Sequence, residues 1–183
     1  MAAKDNYVIV LDFLLYGKAS DRRSEPLAQT IGDKFFNLLE VVIKEDTKLK
    51  PKDRIYIGEE KRDHVKYIRG RIEFDNLTSY AKTLLEEIIG ELVKKEEKRF
   101  VDFFNKAGPL TTRLHSLELL SGIGKKHLWR IIEERKKEPF ENLEDLQKRI
   151  EMLPDPKKIV IKRIIDELRG KDRHRLFVAS DIL

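Results

Sequence analysis

The sequence predicts an α+β protein, with a small OB-like N-terminal β-barrel followed by an all-α domain of tandem helix-hairpin-helix units. Three observations predict it. Short apolar runs and alternating stretches fill the first third, a 3.6-residue period takes over from Leu77, and a Gly-Ile-Gly turn joins two apolar helical stretches further on. The limits drawn from these changes are 1–75 for the barrel, 76–107 for connecting helices and 108–183 for the tandem helix-hairpin-helix domain.

The strands come first. Tyr7–Phe13 and Phe35–Ile43 are short apolar runs rich in β-branched and aromatic residues. Arg54–Ile57 and His64–Ile72 alternate apolar with polar residues, as half-buried strands do. Turn-forming stretches at Tyr16–Asp21, Lys50–Asp53 and Gly58–Lys61 separate them. Four or five short strands in about 70 residues suit a curled sheet or small barrel.

The helices follow. Leu77, Tyr80, Ala81, Leu84, Leu85, Ile88, Ile89, Leu92 and Val93 form one stripe, with Asp75 or Asn76 placed to cap its start. Gly90 inside this stripe predicts close packing or a small kink. A second helix over Glu97–Asn105 ends near Gly108-Pro109, the strongest terminator in the chain. Beyond it the sequence reads as helical until Leu176-Phe177-Val178, which is either a terminal strand or a docked tail.

Composition bounds the function. The 183 residues give room for one large domain or two small ones, and 40% of them are apolar. Charged residues make up 39%, against roughly 25% in an average soluble domain. With no cysteine and two methionines, this composition resembles that of proteins that work hot. The absence of cysteine removes disulfides, thiolate metal sites and thiol nucleophiles. No apolar stretch is long enough to cross a membrane, and the N-terminus lacks a signal-peptide plan, so a soluble, cytoplasmic protein is expected. The net charge of +5 is unevenly placed. Residues 1–105 carry 20 basic and 20 acidic side chains, whereas residues 106–183 carry 18 and 13. A positive bias confined to one part points to a polyanion-facing surface, with a solvated helical face as the plain alternative.

The motif that carries the functional reading spans Arg113–Ile132. A helix with Leu114, Leu117 and Leu120 runs into Ser121-Gly122-Ile123-Gly124, and a second helix starts at Lys125-Lys126 with Leu128, Ile131 and Ile132 on its apolar side. This pattern resembles the helix-hairpin-helix motif. So short a connection needs positive-φ backbone, which glycine reaches without steric cost, and glycine also lets a phosphate approach the main chain. The amides of Gly122–Lys126 open the second helix, where unpaired N–H groups and the positive dipole end converge. Lys125 and Lys126 add full charges beside them, while Ile123 anchors the two helices. Such a site holds phosphate and reads no base, so binding is expected to be independent of sequence. A tight αα-hairpin that needs its glycines for the turn alone is the competing reading.

A weaker copy follows. Pro139–Leu146 looks like a helix start with Asn142 or Glu141 near its cap, and Leu153-Pro154-Asp155-Pro156-Lys157-Lys158 precedes an apolar helix over Ile159–Leu168. Proline lacks the N–H a phosphate needs and Asp155 repels it, so this copy is expected to be chiefly structural. Lys157 and Lys158 remain candidate backbone contacts.

A wider resemblance rests on Pro26–Gly32, Phe36–Glu40, Arg99–Ala107, Arg113–Glu118 and Leu119–Lys126. Together these resemble an uncharacterised archaeal family of predicted RNA-binding proteins, domain of unknown function 655, over nearly the whole chain. The resemblance implies a barrel-like domain joined to tandem hairpins and an association with RNA or the translation machinery. It supplies no established activity. Ser121 departs from the proline common at this place in such hairpins, though a small residue still fits.

Other candidates are fainter. Arg22 and Arg23 lie in a polar loop near Lys18 and are candidate phosphate contacts, although loop arginines are usually just solvated. Lys66, Arg69 and Arg71 line one region of the barrel, where Tyr56 and Tyr67 are the first choices as stacking platforms for bases. His115 and His127 are expected to cap or pack around the hairpin, and Trp129 to fill the core between the repeats. His64 and His174 are scattered, and no metal or other cofactor is expected. There is no Walker lysine loop, nucleophile elbow or carboxylate cluster at ligand spacing, and Asp5, Asp12 and Asp21 are dispersed, so no enzymatic activity is expected. Three readings stay open: an RNA-binding protein, which the resemblance favours, a DNA-binding protein of repair or replication, and a protein-interaction scaffold.

Overall fold

A computed structural model describes residues 4–179. The described residues form two compact units, 4–88 with 166–179, and 89–165. These limits differ from the division drawn at 75 and 108.

The first unit is built on a curled antiparallel sheet. Its strands are β1 (Tyr7–Leu14), β2 (Leu27–Gly32), β3 (Leu38–Ile43), β4 (Arg54–Tyr56) and β5 (Val65–Arg71), in the order β4-β1-β2-β3-β5. Register breaks between Val10 and Asp12 on β1, and at Arg69 and Lys66 on β5 opposite Glu40/Val41 and Val42/Ile43 of β3, give it its curl. Val8, Val10, Ala28, Val41, Ile43, Ile55, Ile57 and Val65 pack together as one buried cluster. On β1 the break leaves Val10 and Leu11 both fully buried.

β2 is the central strand and the one that sequence patterning did not reveal. All six of its residues are buried, including two polar ones that interrupt the apolar period. Both are satisfied. The Thr30 hydroxyl donates to the Leu39 carbonyl (3.1 Å), and the Gln29 side chain accepts the Thr78 N–H at 2.8 Å. Gly32 is required by a close approach, since a Cβ there would lie 1.8 Å from an Asp5 carboxylate oxygen. That carboxylate holds the turn before β3, accepting the N–H groups of Lys34 and Phe35 and the Asn37 amide.

Helix α1 (Ser79–Lys95) is capped by Thr78, not by Asp75 or Asn76. Those two sit in or beside a 3-10 turn over Phe74–Asn76, one turn too early. Thr78 Oγ1 accepts the Ala81 N–H and donates to Asp12 Oδ2 at 2.6 Å, which ties the helix start to β1. The segment Leu176–Val178 is a docked tail rather than a strand. The fully buried Glu167 carboxylate accepts its three successive N–H groups at 2.8–3.1 Å, and Ala179 N–H donates to the Phe35 carbonyl.

The second unit is helical, with α2 (Glu97–Lys106), α3 (Lys125–Lys137), α4 (Leu143–Arg149) and most of α5 (Pro156–Leu168). Phe100, Val101 and Phe104 form the buried side of α2. At Gly90 an added Cβ would make only an ordinary contact with Ile161 at 3.6 Å, so the close packing expected there does not itself require glycine. Asn142 caps α4 as its position suggested, accepting the Asp145 N–H. The long helix expected through Leu114, Leu117 and Leu120 is only a 3-10 turn, Ser116–Leu119. An apolar spacing of three residues is the repeat of that tighter helix, so the pattern was real and the helix type different.

Candidate nucleic-acid interface

The site is assembled around the turn over residues 121–126. His115 opens the 3-10 turn with a reciprocal cap: its Nδ1 accepts the Leu117 N–H (3.1 Å), and its own N–H donates to Glu118 Oε2 (2.9 Å). Burial, aided by Arg135, pushes the imidazole pKa below its ordinary value and keeps the ring in the neutral form that can accept. Leu117, Leu120 and Ile123 are buried, so the loop is pinned from beneath, with Ile123 as the expected anchor. The chain then reverses at Gly122, whose φ of 91° lies in the left-handed region. An added Cβ would lie 3.2 Å from Pro154, so this turn packs against the Pro-Asp-Pro of the second copy. His127 closes it from the far side, with Nδ1 3.1 Å from the Gly122 carbonyl oxygen.

Gly124 has a different character. Its backbone is extended, with φ of −90°, and a Cβ would meet nothing within 4 Å. It precedes α3 as an N-cap residue that offers no side-chain acceptor to the first N–H groups of that helix. At α5 the corresponding position is occupied, since Asp155 Oδ1 accepts the Lys157 N–H at 2.9 Å. The two turns are variants of one design. Each has a positive-φ residue, Gly122 or Met152, followed by a buried aliphatic, Ile123 or Leu153. That aliphatic's N–H returns to a carbonyl three residues back, Leu120 or Ile150. In the second turn, the Asp155 carboxylate itself accepts an N–H at the helix start.

Charge surrounds the first turn. Lys125 Nζ lies 2.9 Å from Glu118 Oε1, and Lys126 is exposed. Lys162 of α5 reaches the Ser121 hydroxyl at 2.9 Å, and the buried Arg163 donates to the Leu119 carbonyl. Lys162 was missed in the sequence because it lies far from the motif on an otherwise ordinary helix. Lys157 is half-buried and Lys158 exposed at the start of α5.

The candidates on the sheet unit are differently placed. Lys66 pairs with Glu25 at 2.7 Å, and Tyr67 donates to the same carboxylate. Arg69 forms a fork on Asp21 and approaches Glu40, which Lys18 also contacts. The Lys66 contact holds the Glu25 carboxyl below its usual range, while for Asp21 the Lys18 N–H comes first and Arg69 second. These cations are therefore balanced within their own unit. Arg22 and Arg23 remain exposed in the loop before β2. Tyr56 stands edge-on to Tyr7, with ring centroids 5.1 Å apart. The larger clefts of this unit, of about 850 and 540 Å³, mix acidic and basic linings and single out no class of ligand.

Trp129 corrects an expectation. It is 61% exposed and does not fill the core. Leu128 and Ile131 take the inner side of α3, and a residue next to Leu128 in sequence points about 100° away from it.

The family described as "Protein of unknown function (DUF655)" matches residues 4–179. The chain belongs to this family. An uncharacterised DUF655 relative from Methanocaldococcus jannaschii is 44% identical over 176 residues, which cover 95% of this chain and 80% of the relative. The crystal structure of a DUF655 protein from Archaeoglobus fulgidus superposes with a TM-score of 0.86 at 45% identity, covering 96% of this chain and all of the other.

Proposed function

We propose that this DUF655 protein is a nucleic-acid-binding protein, rather than an enzyme, that holds the phosphate backbone of RNA in a helix-hairpin-helix turn over Ser121–Lys126. The observation that carries the reading is the contrast at the two helix starts: α5 is closed by the Asp155 carboxylate, while α3 begins at an exposed glycine with no capping side chain. Uncapped N–H groups beside Lys125, Lys126 and Lys162 suit a phosphate oxygen and read no base. The curled five-stranded sheet is taken as an OB-like barrel left open between β4 and β5. RNA is preferred to DNA on the family resemblance of the sequence.

The test is fluorescence anisotropy with labelled single- and double-stranded RNA and DNA across a salt series. Wild type is compared with Lys125→Glu/Lys126→Glu. Binding that weakens in the variant, with a shallower dependence of log affinity on log salt, supports phosphate contact at this turn. The best of the four ligands decides between RNA and DNA. If none of the four binds, the turn is a protein-docking surface instead.

A further inference from the structure

We infer that Trp129 is the stacking platform for an unpaired base of the RNA held at the 121–126 turn, so that the ligand is single-stranded where it crosses α3. This rests on the phosphate-binding reading and adds a strand preference to it. Trp129 is the only tryptophan in the chain, and it lies on the outer side of α3 at 61% exposure. It is one turn beyond Lys126 and five residues beyond Gly124, about 7.5 Å along the axis at 1.5 Å per residue. That distance is on the order of one nucleotide step, so a phosphate at the start of α3 brings a neighbouring base to the indole.

The surroundings fit a base better than a protein. A shallow cleft of about 440 Å³ is lined by Lys126, His127, Trp129, Arg130, Glu133 and Glu151. Trp129 is the single large apolar surface in it, and a protein anchor needs apolar neighbours that exclude water around it. A base needs only one π face, with cations nearby for its backbone. Lys126 lies toward the turn. Arg130 is loosely held, 3.8 Å from Glu133 and 3.4 Å from Glu134. The carboxylates of Glu133 and Glu151 repel phosphate, so the backbone is steered to the Lys126 edge of the cleft while the base covers the ring.

The sole tryptophan makes the test direct. The full chain is titrated with labelled oligouridylate and with a blunt RNA duplex, reading label anisotropy for binding and tryptophan emission for stacking. Expected are quenched emission with oligouridylate, a roughly five- to hundred-fold loss of its affinity in Trp129→Ala, and recovery of most of that affinity in Trp129→Phe. Duplex affinity should be unchanged in both variants. Oligouridylate binding with unaltered emission, or equal affinity in Trp129→Ala, overturns the stacking role and leaves phosphate binding standing. Absence of an anisotropy change with both RNAs overturns the stacking role, and its absence with single- and double-stranded DNA as well overturns phosphate binding.

Discussion

Glu118 and Lys125 form an ion pair at the mouth of the candidate turn, Oε1 to Nζ at 2.9 Å, while the second Glu118 oxygen accepts the His115 N–H. One carboxylate thus shapes the loop and holds one of the two motif lysines. The His115 N–H and Lys125 together hold the Glu118 carboxyl pKa below its usual range. On the proposed reading, a phosphate at the turn would compete with Glu118 for Lys125.

Removing that competition should strengthen binding. Glu118→Gln keeps an acceptor for the His115 N–H and releases Lys125. The expected outcome is a single-stranded RNA affinity two- to five-fold higher at low salt and a log–log salt slope steeper by up to about 0.7. The denaturation midpoint should change little, because Lys125 is exposed and the glutamine still accepts the His115 N–H. An affinity lower than wild type would place Lys125 outside the interface.

The two glycines of the turn should separate folding from binding. Gly122→Ala forces a Cβ into φ of 91° and to 3.2 Å from Pro154, so it should destabilise the protein by about 1–2 kcal/mol. Gly124→Ala meets open space, and its stability cost should stay below about 1 kcal/mol. Its methyl group would nevertheless sit beside the first N–H groups of α3, and a roughly tenfold loss of RNA affinity is expected. Urea denaturation alongside anisotropy distinguishes the two effects.

His115 should make stability depend on pH in the near-neutral range. Its folded pKa is depressed by burial, so the unfolded chain takes up the proton first as the pH falls. The contribution is fully present above the ordinary value of 6.5 and is lost as the pH falls through the depressed folded value. His115→Asn retains a side-chain acceptor for the cap. Urea midpoints measured from pH 7.5 to 5 should fall in wild type and fall less in the variant. Parallel curves would remove His115 as the cause.

Glu167 should be among the most sensitive side chains of the sheet unit. It is fully buried, and three successive tail N–H groups converge on its carboxylate. Glu167→Gln keeps the shape but turns an N–H₂ toward a backbone donor. A loss of about 2–4 kcal/mol in urea denaturation is expected, with early hydrogen exchange at residues 176–178. A near-wild-type midpoint would show that the tail is held by its apolar contacts alone.

Several features were legible in the sequence because they depend on local chemistry. Apolar runs located β1 and β3, periodicities located β4, β5 and α1, and Asn142, one of two candidates, proved to be the cap of α4. The spacing of glycines around Ile123 placed the turn. β2 was hidden because Gln29 and Thr30 break its apolar pattern, and their partners Thr78 and Leu39 lie elsewhere in the chain. The cap of α1 was misplaced because Thr78 is fixed by Asp12, 66 residues away.

By itself, then, the sequence determined the α+β class, most of the element positions and the turn at Gly122–Lys126. Each follows from propensities and periods acting over a few residues. Tertiary structure alone decided which charges are balanced and which surfaces stay open. It set Lys66 against Glu25 and Arg69 against Asp21, brought Lys162 to Ser121, and buried Glu167 beneath the tail. It also turned Trp129 outward, because only one side of α3 can face a core and Leu128 and Ile131 already occupy it. Pairing and exposure depend on which distant residues meet, and that is settled only when the chain has packed.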